Sequence, residues 1–256
     1  MMRSIDLNAD LGEGYGPWSM GDDAAMLGIV TSANIACGGH AGDPDTMFDT
    51  LAVAGKNNVV VGAHPGYADR AGFGRRIIPM SPDEMARMIA AQIGALSAIA
   101  RLVDVDVRYV KAHGALANLA AGDGAVARVL VNTVQQVDER LAILAISGTE
   151  IERAARSAGV QVFSEVFADR GYQASGQLVP RRQPGALIHD PAEAVDRLLG
   201  FLETGLMPVV DGAPIPLAAD SVCVHGDSPG AVDMTTQLRS RLLAAGVELR
   251  SFAATS

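Results

Sequence analysis

Four of the chain's five histidines stand just past short apolar runs. His40 follows Asn34-Ile35-Ala36-Cys37 across two glycines, His64 follows Val59 to Val61, His113 follows Tyr109 to Lys111, and His225 follows Val222 to Val224. Carboxylates and cations share these places: Asp10 closes the first apolar stretch, Lys111 lies two residues before His113, and Glu165 with Asp169-Arg170 closes a later one. Arg70 and Arg182 sit in irregular glycine- and proline-rich segments. Asp10, His40 and His64 form a donor set suited to zinc, manganese or iron. The same groups suit metal-free acid–base chemistry, with Asp10 as base and a histidine or Lys111 polarising a carbonyl. No short ligand motif such as His-x-x-x-His occurs, so the sequence leaves both open. A plainer alternative has each histidine bonding a nearby carbonyl to shape a loop. Four at matching positions favour a site. His189, beside the cap Asp190-Pro191, reads as structural.

These groups need strand ends to carry them, and the chain supplies strands and helices in alternation. Ile5 to Asp10 alternates Ile5, Leu7, Ala9 with Asp6, Asn8, Asp10, which predicts one apolar and one polar face. Polar groups on the inner face of a central strand must be paired, because an unpaired buried carboxylate is costly; an edge strand with one wet face is the alternative. The Gly12–Trp18 loop, with the only tryptophan, either closes over a ligand or packs on the surface. Asp43-Pro44 and Ser81-Pro82-Asp83-Glu84 are helix starts, the second a capping box. The latter opens an apolar stripe of Met85, Met88, Ile89, Ile93, Leu96, Ile99 and Leu102. Further strands are expected at 107–111, 141–146, 160–167, 221–224 and 247–252, with Ser228-Pro229 capping the final helix. Ala68-Asp69-Arg70 recurs as Ala168-Asp169-Arg170, by chance or as two loops that each fix an arginine with its own aspartate. Such alternation predicts a single (β/α) barrel of seven or eight strands over residues 1–256, with a doubly wound open sheet as the alternative.

Composition narrows the classes. A net charge of −9 argues against a nucleic-acid partner, and no apolar run reaches the length of a membrane span. Cys37 and Cys223 lack metal spacing and fit reduced thiols; with a charged start and no apolar leader, a cytoplasmic protein is expected. No phosphate-cradling loop, Gly-x-Gly-x-x-Gly or Gly-x-Ser-x-Gly occurs.

The motifs Asp6-Leu7-Asn8-Ala9-Asp10-Leu11-Gly12-Glu13, Ala33 through Pro44, and Gly62-Ala63-His64-Pro65-Gly66-Tyr67 resemble those of the LamB/YcsF family. So do Val110-Lys111-Ala112-His113-Gly114-Ala115-Leu116, Glu165 through Arg170, and Val224-His225-Gly226-Asp227-Ser228-Pro229. The likeness runs in order along almost the whole chain. Gly39, where a bulkier residue is expected, and Ala112, where proline is expected, depart from it. The resemblance implies a barrel like those of glycoside hydrolases and deacetylases. It also implies ATP-dependent opening of 5-oxo-L-proline to L-glutamate, with magnesium, beside KipI-like and KipA-like partner subunits; a homo-oligomer stays open. On that chemistry Asp10 serves as base, His113 as acid and Lys111 as the cation for developing negative charge. Arg70, Arg170 or Arg182 grips the substrate carboxylate, and His40, His64, Glu165, Asp169 and His225 complete the pocket. A metal-dependent amide hydrolase or deacetylase, and a lactam-binding subunit whose partners do the chemistry, are the alternatives.

Overall fold

The computed structural model describes residues 4–188, 190–224 and 230–253. Its strands are β1 (Ser4–Leu11), β2 (Ser32–Ala36), β3 (Val60–His64), β4 (Val107–Val110), β5 (Ala142–Ile146), β6 (Val162–Phe167), β7 (Leu206–Met207), β8 (Ile215–Pro216), β9 (Ser221–Val224) and β10 (Glu248–Leu249). The helices are α1 (Asp23–Leu27), α2 (Pro44–Lys56), α3 (Pro82–Ala100), α4 (Gly114–Gly122), α5 (Gly124–Val137), α6 (Glu150–Ala158), α7 (Pro191–Thr204) and α8 (Ala231–Ala244).

Seven parallel strands close on themselves in the order β1-β2-β3-β4-β5-β6-β9, with β9 returning to β1. β1 therefore has a hydrogen-bonded neighbour on each side, which excludes both the wet-edge reading and the open sheet. β10 adds only Ser4–Glu248 and Ile5–Leu249 pairs at the foot of β1, and β7–β8 is a separate antiparallel hairpin.

The expected strand through Phe252 is thus cut to two residues. Phe252 instead turns under the barrel, its ring 4.9 Å from that of Tyr109 and 4.6 Å from that of Phe163. With Val60 and Ala142 they form an apolar plug at the amino ends of the strands.

Outside the barrel the helices bury a continuous shell of Leu, Ile, Val, Met and Ala. The Ser81 capping box forms, with Glu84 accepting from Ser81 N at 2.7 Å and Ser81 Oγ accepting from Glu84 N at 3.3 Å. It starts α3 so that Met85, Ile89, Ile93 and Leu96 are buried, each large apolar side chain contributing about 1.5–3 kcal/mol. Leu102 does not join this stripe: the helix ends at Ala100, a 3-10 turn follows, and Leu102 is 73% exposed. By length and composition alone Pro82–Val103 could cross a membrane, yet its stripe packs on the barrel. The expected cap at Ser228-Pro229 lies outside the described residues, as do His189 and His225.

Above the plug the interior is polar. Asp6 takes hydrogen bonds from Thr31 Oγ1 and Ser32 Oγ, both at 2.6 Å, and from Ser221 Oγ. Burial nevertheless pushes its carboxyl up to about 6, with the three hydroxyls opposing the shift. A carboxyl raised on folding binds its proton more tightly in the native state. Its burden on stability, about 3 kcal/mol, is present above pH 6 and relieved as pH falls from 6 towards 4. Urea unfolding of the native chain and Asp6→Asn across pH 4 to 7 checks this. The native chain should gain stability relative to the variant as pH falls through that window; a difference independent of pH would contradict it.

Candidate active site

Lys111 follows β4 into the barrel, where an ammonium without partners would be prohibitive. Its Nζ lies 2.9 Å from Asp10 Oδ1 and 2.8 Å from Glu165 Oε1, joining the carboxyl end of β1 to β6. Cys223 Sγ from β9 is 3.1 Å away. Burial works against the ammonium, but its anionic neighbours outweigh that and hold it well above its usual value. Burial also keeps Cys223 a thiol, so the two carboxylates supply the attraction. Asn34 Nδ2 donates to Asp10 Oδ1 at 2.8 Å and to Asn8 Oδ1 at 2.7 Å, while Asn8 Nδ2 donates to Glu165 Oε1 at 3.0 Å. Glu165 Oε2 is buried with no hydrogen-bond partner among the described residues, and burial raises this carboxyl despite the neighbouring ammonium.

Beside this bridge three imidazoles meet. His64 Nδ1 lies 2.8 Å from Lys111 O and His113 Nε2 lies 2.9 Å from Phe73 O. A carbonyl accepts only, which assigns an N–H to each of those nitrogens. The other nitrogens, His64 Nε2 and His113 Nδ1, then face each other at 3.0 Å. His40 stacks flat on His113, centroids 3.5 Å apart and planes 3° apart, with Nε2 3.1 Å from Glu13 Oε1. His40 Nδ1 is buried with no partner among the described residues. Burial, then the neighbouring imidazoles, holds His40 well below its usual value, and burial takes His113 down to about 3. One donor atom from each of Glu13, His40, His64 and His113 fits within 4.8 Å of the others.

Loops lock this cluster. Phe73 adopts φ 53°, unusual for a bulky residue, with its carbonyl on His113 and its ring edge-on to both His40 and His113. A side chain at Gly66 would come within 2.9 Å of His40 Nδ1. Gln92 from α3 fixes that glycine, accepting from Gly66 N at 3.1 Å and donating to Gly66 O at 2.7 Å. The Gln92 carboxamide fills the space a Cβ at Gly39 would need, so the family departure at Gly39 is matched by what packs against it. Ala112 lines the cavity and adds no polar group.

Both groups open onto a cavity of about 830 Å³ at the carboxyl ends of the strands. Asp10, Glu13, His64, Lys111, His113 and Glu165 form its polar wall, Leu144, Ile146, Phe167 and Leu178 an apolar one, and Arg75, Arg170, Arg181 and Arg182 a basic rim. Asp10, His40, His64, Lys111, His113 and Glu165 are thus brought together, whereas His225 lies outside the described residues. Arg170 is buried, bonded through Nε to Ala186 O and through Nη2 to Val179 O, and burial lowers it to about 10. Asp169 is buried next to it in sequence but is not among the lining residues. Arg70 stands apart from the cavity, over the Tyr15 ring at 3.9 Å and on Gly38 O at 3.1 Å. Asp69 holds Arg76 instead of Arg70, so the first Ala-Asp-Arg triplet does not fix its own arginine. The Gly12–Trp18 loop divides: Trp18 is 70% exposed, while Glu13 turns inward to the histidines. Sequence reasoning passed over Glu13, Arg75 and Arg181. Only Glu13 left a signal, its place at the end of the Asp6–Glu13 motif.

Lys111→Met leaves buried Glu165 and half-buried Asp10 without their shared cation and should cost about 3–5 kcal/mol in urea unfolding. Adding Glu165→Gln should recover part of that loss. No recovery, or a loss below about 1 kcal/mol, would show that the ion pairs do not hold this floor together.

The LamB/YcsF family model matches residues 5–256. The 5-oxoprolinase A subunit of Mycobacterium avium is 50% identical over 251 residues, covering 98% of this chain and all of that protein. A 5-oxoprolinase A subunit of Pseudomonas syringae pv. tomato is 48% identical over 252 residues, covering 98% of each. The crystal structure of a lactam utilization protein from Thermus thermophilus superposes with a TM-score of 0.92 at 41% identity, covering 97% of this chain and all of that one. A family match over residues 5–256, with relatives at this identity over nearly their whole length, makes this chain a member of the LamB/YcsF family.

Proposed function

We propose that the chain is the A subunit of an ATP-dependent 5-oxoprolinase and that its cavity opens the activated lactam. The observation that carries this is the cavity: a paired-carboxylate floor under a rim of four arginines, in a chain whose net charge is −9. Such a rim recruits an anion against the overall charge. The names of the full-length relatives support the substrate.

The chemistry assigns the parts. A five-membered lactam is a weak electrophile and its opening is uphill, so ATP phosphorylates the amide oxygen. Water then adds to the ring carbon, and the C–N bond breaks to free the amine and leave a γ-glutamyl phosphate. A second water cleaves that acyl phosphate to glutamate and phosphate. Asp10, ionised beside Lys111, takes the proton from water. The acid's role passes from His113 to Glu165. Burial holds His113 near 3, and its Nε2 hydrogen is committed to Phe73 O. Burial raises the Glu165 carboxyl, whose Oε2 has no hydrogen-bond partner among the described residues, so Glu165 is the group placed to shuttle a proton to the departing nitrogen. Lys111 is a positioning residue, its protons directed to Asp10, Glu165 and Cys223. Negative charge on the substrate carboxylate and the phosphoryl group falls to Arg75, Arg170, Arg181 and Arg182, with bidentate pairing available from a guanidinium. The volume exceeds that of the lactam, leaving room for a phosphoryl group.

Phosphoryl transfer itself belongs to KipI-like and KipA-like partners that bind ATP and magnesium, because no phosphate-cradling loop occurs in this chain. Dependence on ATP fits an assembly that works in the cytoplasm. Glutamate release measured with ATP and magnesium tests the reading. The chain alone should be inactive and the reconstituted mixture active, with Asp10→Ala or Glu165→Gln lowering the rate by a factor of about 100 or more. Equal rates without partners, or indifference to both substitutions, would overturn it.

A further inference from the structure

We propose that His64 Nε2, His113 Nδ1 and the Glu13 carboxylate hold one divalent transition-metal ion of the zinc class on the cavity wall. His64 Nδ1 and His113 Nε2 are committed as donors to Lys111 O and Phe73 O. The opposite nitrogens therefore bring lone pairs together at 3.0 Å, with Asp10 Oδ2 another 3.3 Å from His64 Nε2 and Glu13 Oε1 3.6 Å from His113 Nδ1. Four electron-rich atoms converge where only positive charge relieves them. A proton on one nitrogen bonds a single partner at a time; an ion between them satisfies several together.

The spacings agree with a metal. Ligands at about 2.0–2.1 Å in a tetrahedral site lie about 3.3–3.4 Å apart. The observed separations of 3.0 and 3.6 Å bracket that value. Two imidazoles and a carboxylate suit zinc, cobalt or nickel better than magnesium, which prefers oxygen and retained water. Each proposed ligand lines the cavity, so an open coordination position would face an entering ligand.

The geometry also separates ligands from supports. An imidazole nitrogen binds an ion lying in its own ring plane. His40 and His113 are parallel and 3.5 Å apart, so in this arrangement both cannot reach one ion. His40 instead donates from Nε2 to Glu13 Oε1 at 3.1 Å and orients that carboxylate, the usual second partner of a metal-bound group. Asp10 Oδ1 is taken by Lys111 and Asn34, which leaves Asp10 bordering the ion rather than anchoring it. The proposal does not rest on the lactam reading, since its readout needs no substrate.

Metal content and spectroscopy test it. The full chain, stripped with chelator and dialysed against zinc or cobalt(II), should retain about one ion per molecule. The cobalt form should show visible absorption of a low-coordinate site with nitrogen ligands. Glu13→Gln and His113→Gln, each verified as folded by circular dichroism, should weaken retention by a factor of about 100. X-ray absorption at the zinc edge of the unsubstituted protein counts imidazoles without any variant and should find two. Failure of the native chain to retain an ion, retention unchanged in both folded variants, or fewer than two imidazoles would each overturn the proposal.

Discussion

A buried ammonium constrains everything around it. Lys111 reaches the barrel interior from the end of β4 and is tolerated there only because Asp10 and Glu165 meet it at 2.9 and 2.8 Å. Those two carboxylates belong to β1 and β6, and Cys223 on β9 lies within 3.1 Å, so one charge ties together four of the seven strands. The pairing then propagates. Asn34 and Asn8 bridge Asp10 to Glu165, Ser221 links Asn8 to Asp6, and Thr31 and Ser32 complete Asp6. A barrel filled this way gives up apolar packing in its middle layers and keeps it in the plug beneath and the shell outside. What it gains is a rigid polar floor whose carboxylates cannot relax towards solvent, which suits proton transfer at fixed positions.

The histidine cluster is stitched by a different device. Glu13 arrives on the loop after β1, His40 after β2, His64 at the end of β3 and His113 at the start of α4. Gly42 N donates to Gly14 O at 2.9 Å and His113 N donates to Pro65 O at 2.9 Å, so neighbouring loops hold one another. Gln92, on a helix outside the barrel, pins the loop that carries Gly66. The cluster therefore depends on the connections after β1, β2 and β4, the end of β3 and one helix, while the ammonium bridge rests on strands and the residue just past β4.

Strand-based features were legible in the sequence because period-two alternation is local. Asp6, Asn8 and Asp10 opposite Ile5, Leu7 and Ala9 announced a polar face, and Lys111, two residues after the buried Tyr109, shares its inward parity and meets Asp10 of β1. Capping signals at Ser81 and Asp43 marked their helices. The rest depends on where the chain goes next. Glu13 lies between glycines in a loop, so nothing in its own periodicity says that it turns inward while Trp18 turns out. His113 is an acid by residue type and place in the motif, and the burial that lowers it to about 3 shows only in the fold. Arg70 and Arg170 follow the same Ala-Asp pair in sequence, yet one stacks on Tyr15 and the other is enclosed by backbone carbonyls at the cavity. Leu102 kept the helical spacing but fell beyond the last turn that could bury it.

In the proposed reaction the ammonium-bridged carboxylates form the floor on which the lactam lies. A crystal structure of the chain with its partner subunits and 5-oxo-L-proline tests that most directly. The account predicts the ring carbonyl carbon above Asp10 and Glu165, the substrate carboxylate on the rim arginines, and Lys111 still between its two carboxylates. A lactam bound away from this cavity, or a Lys111 side chain turned to solvent in the complex, would contradict it.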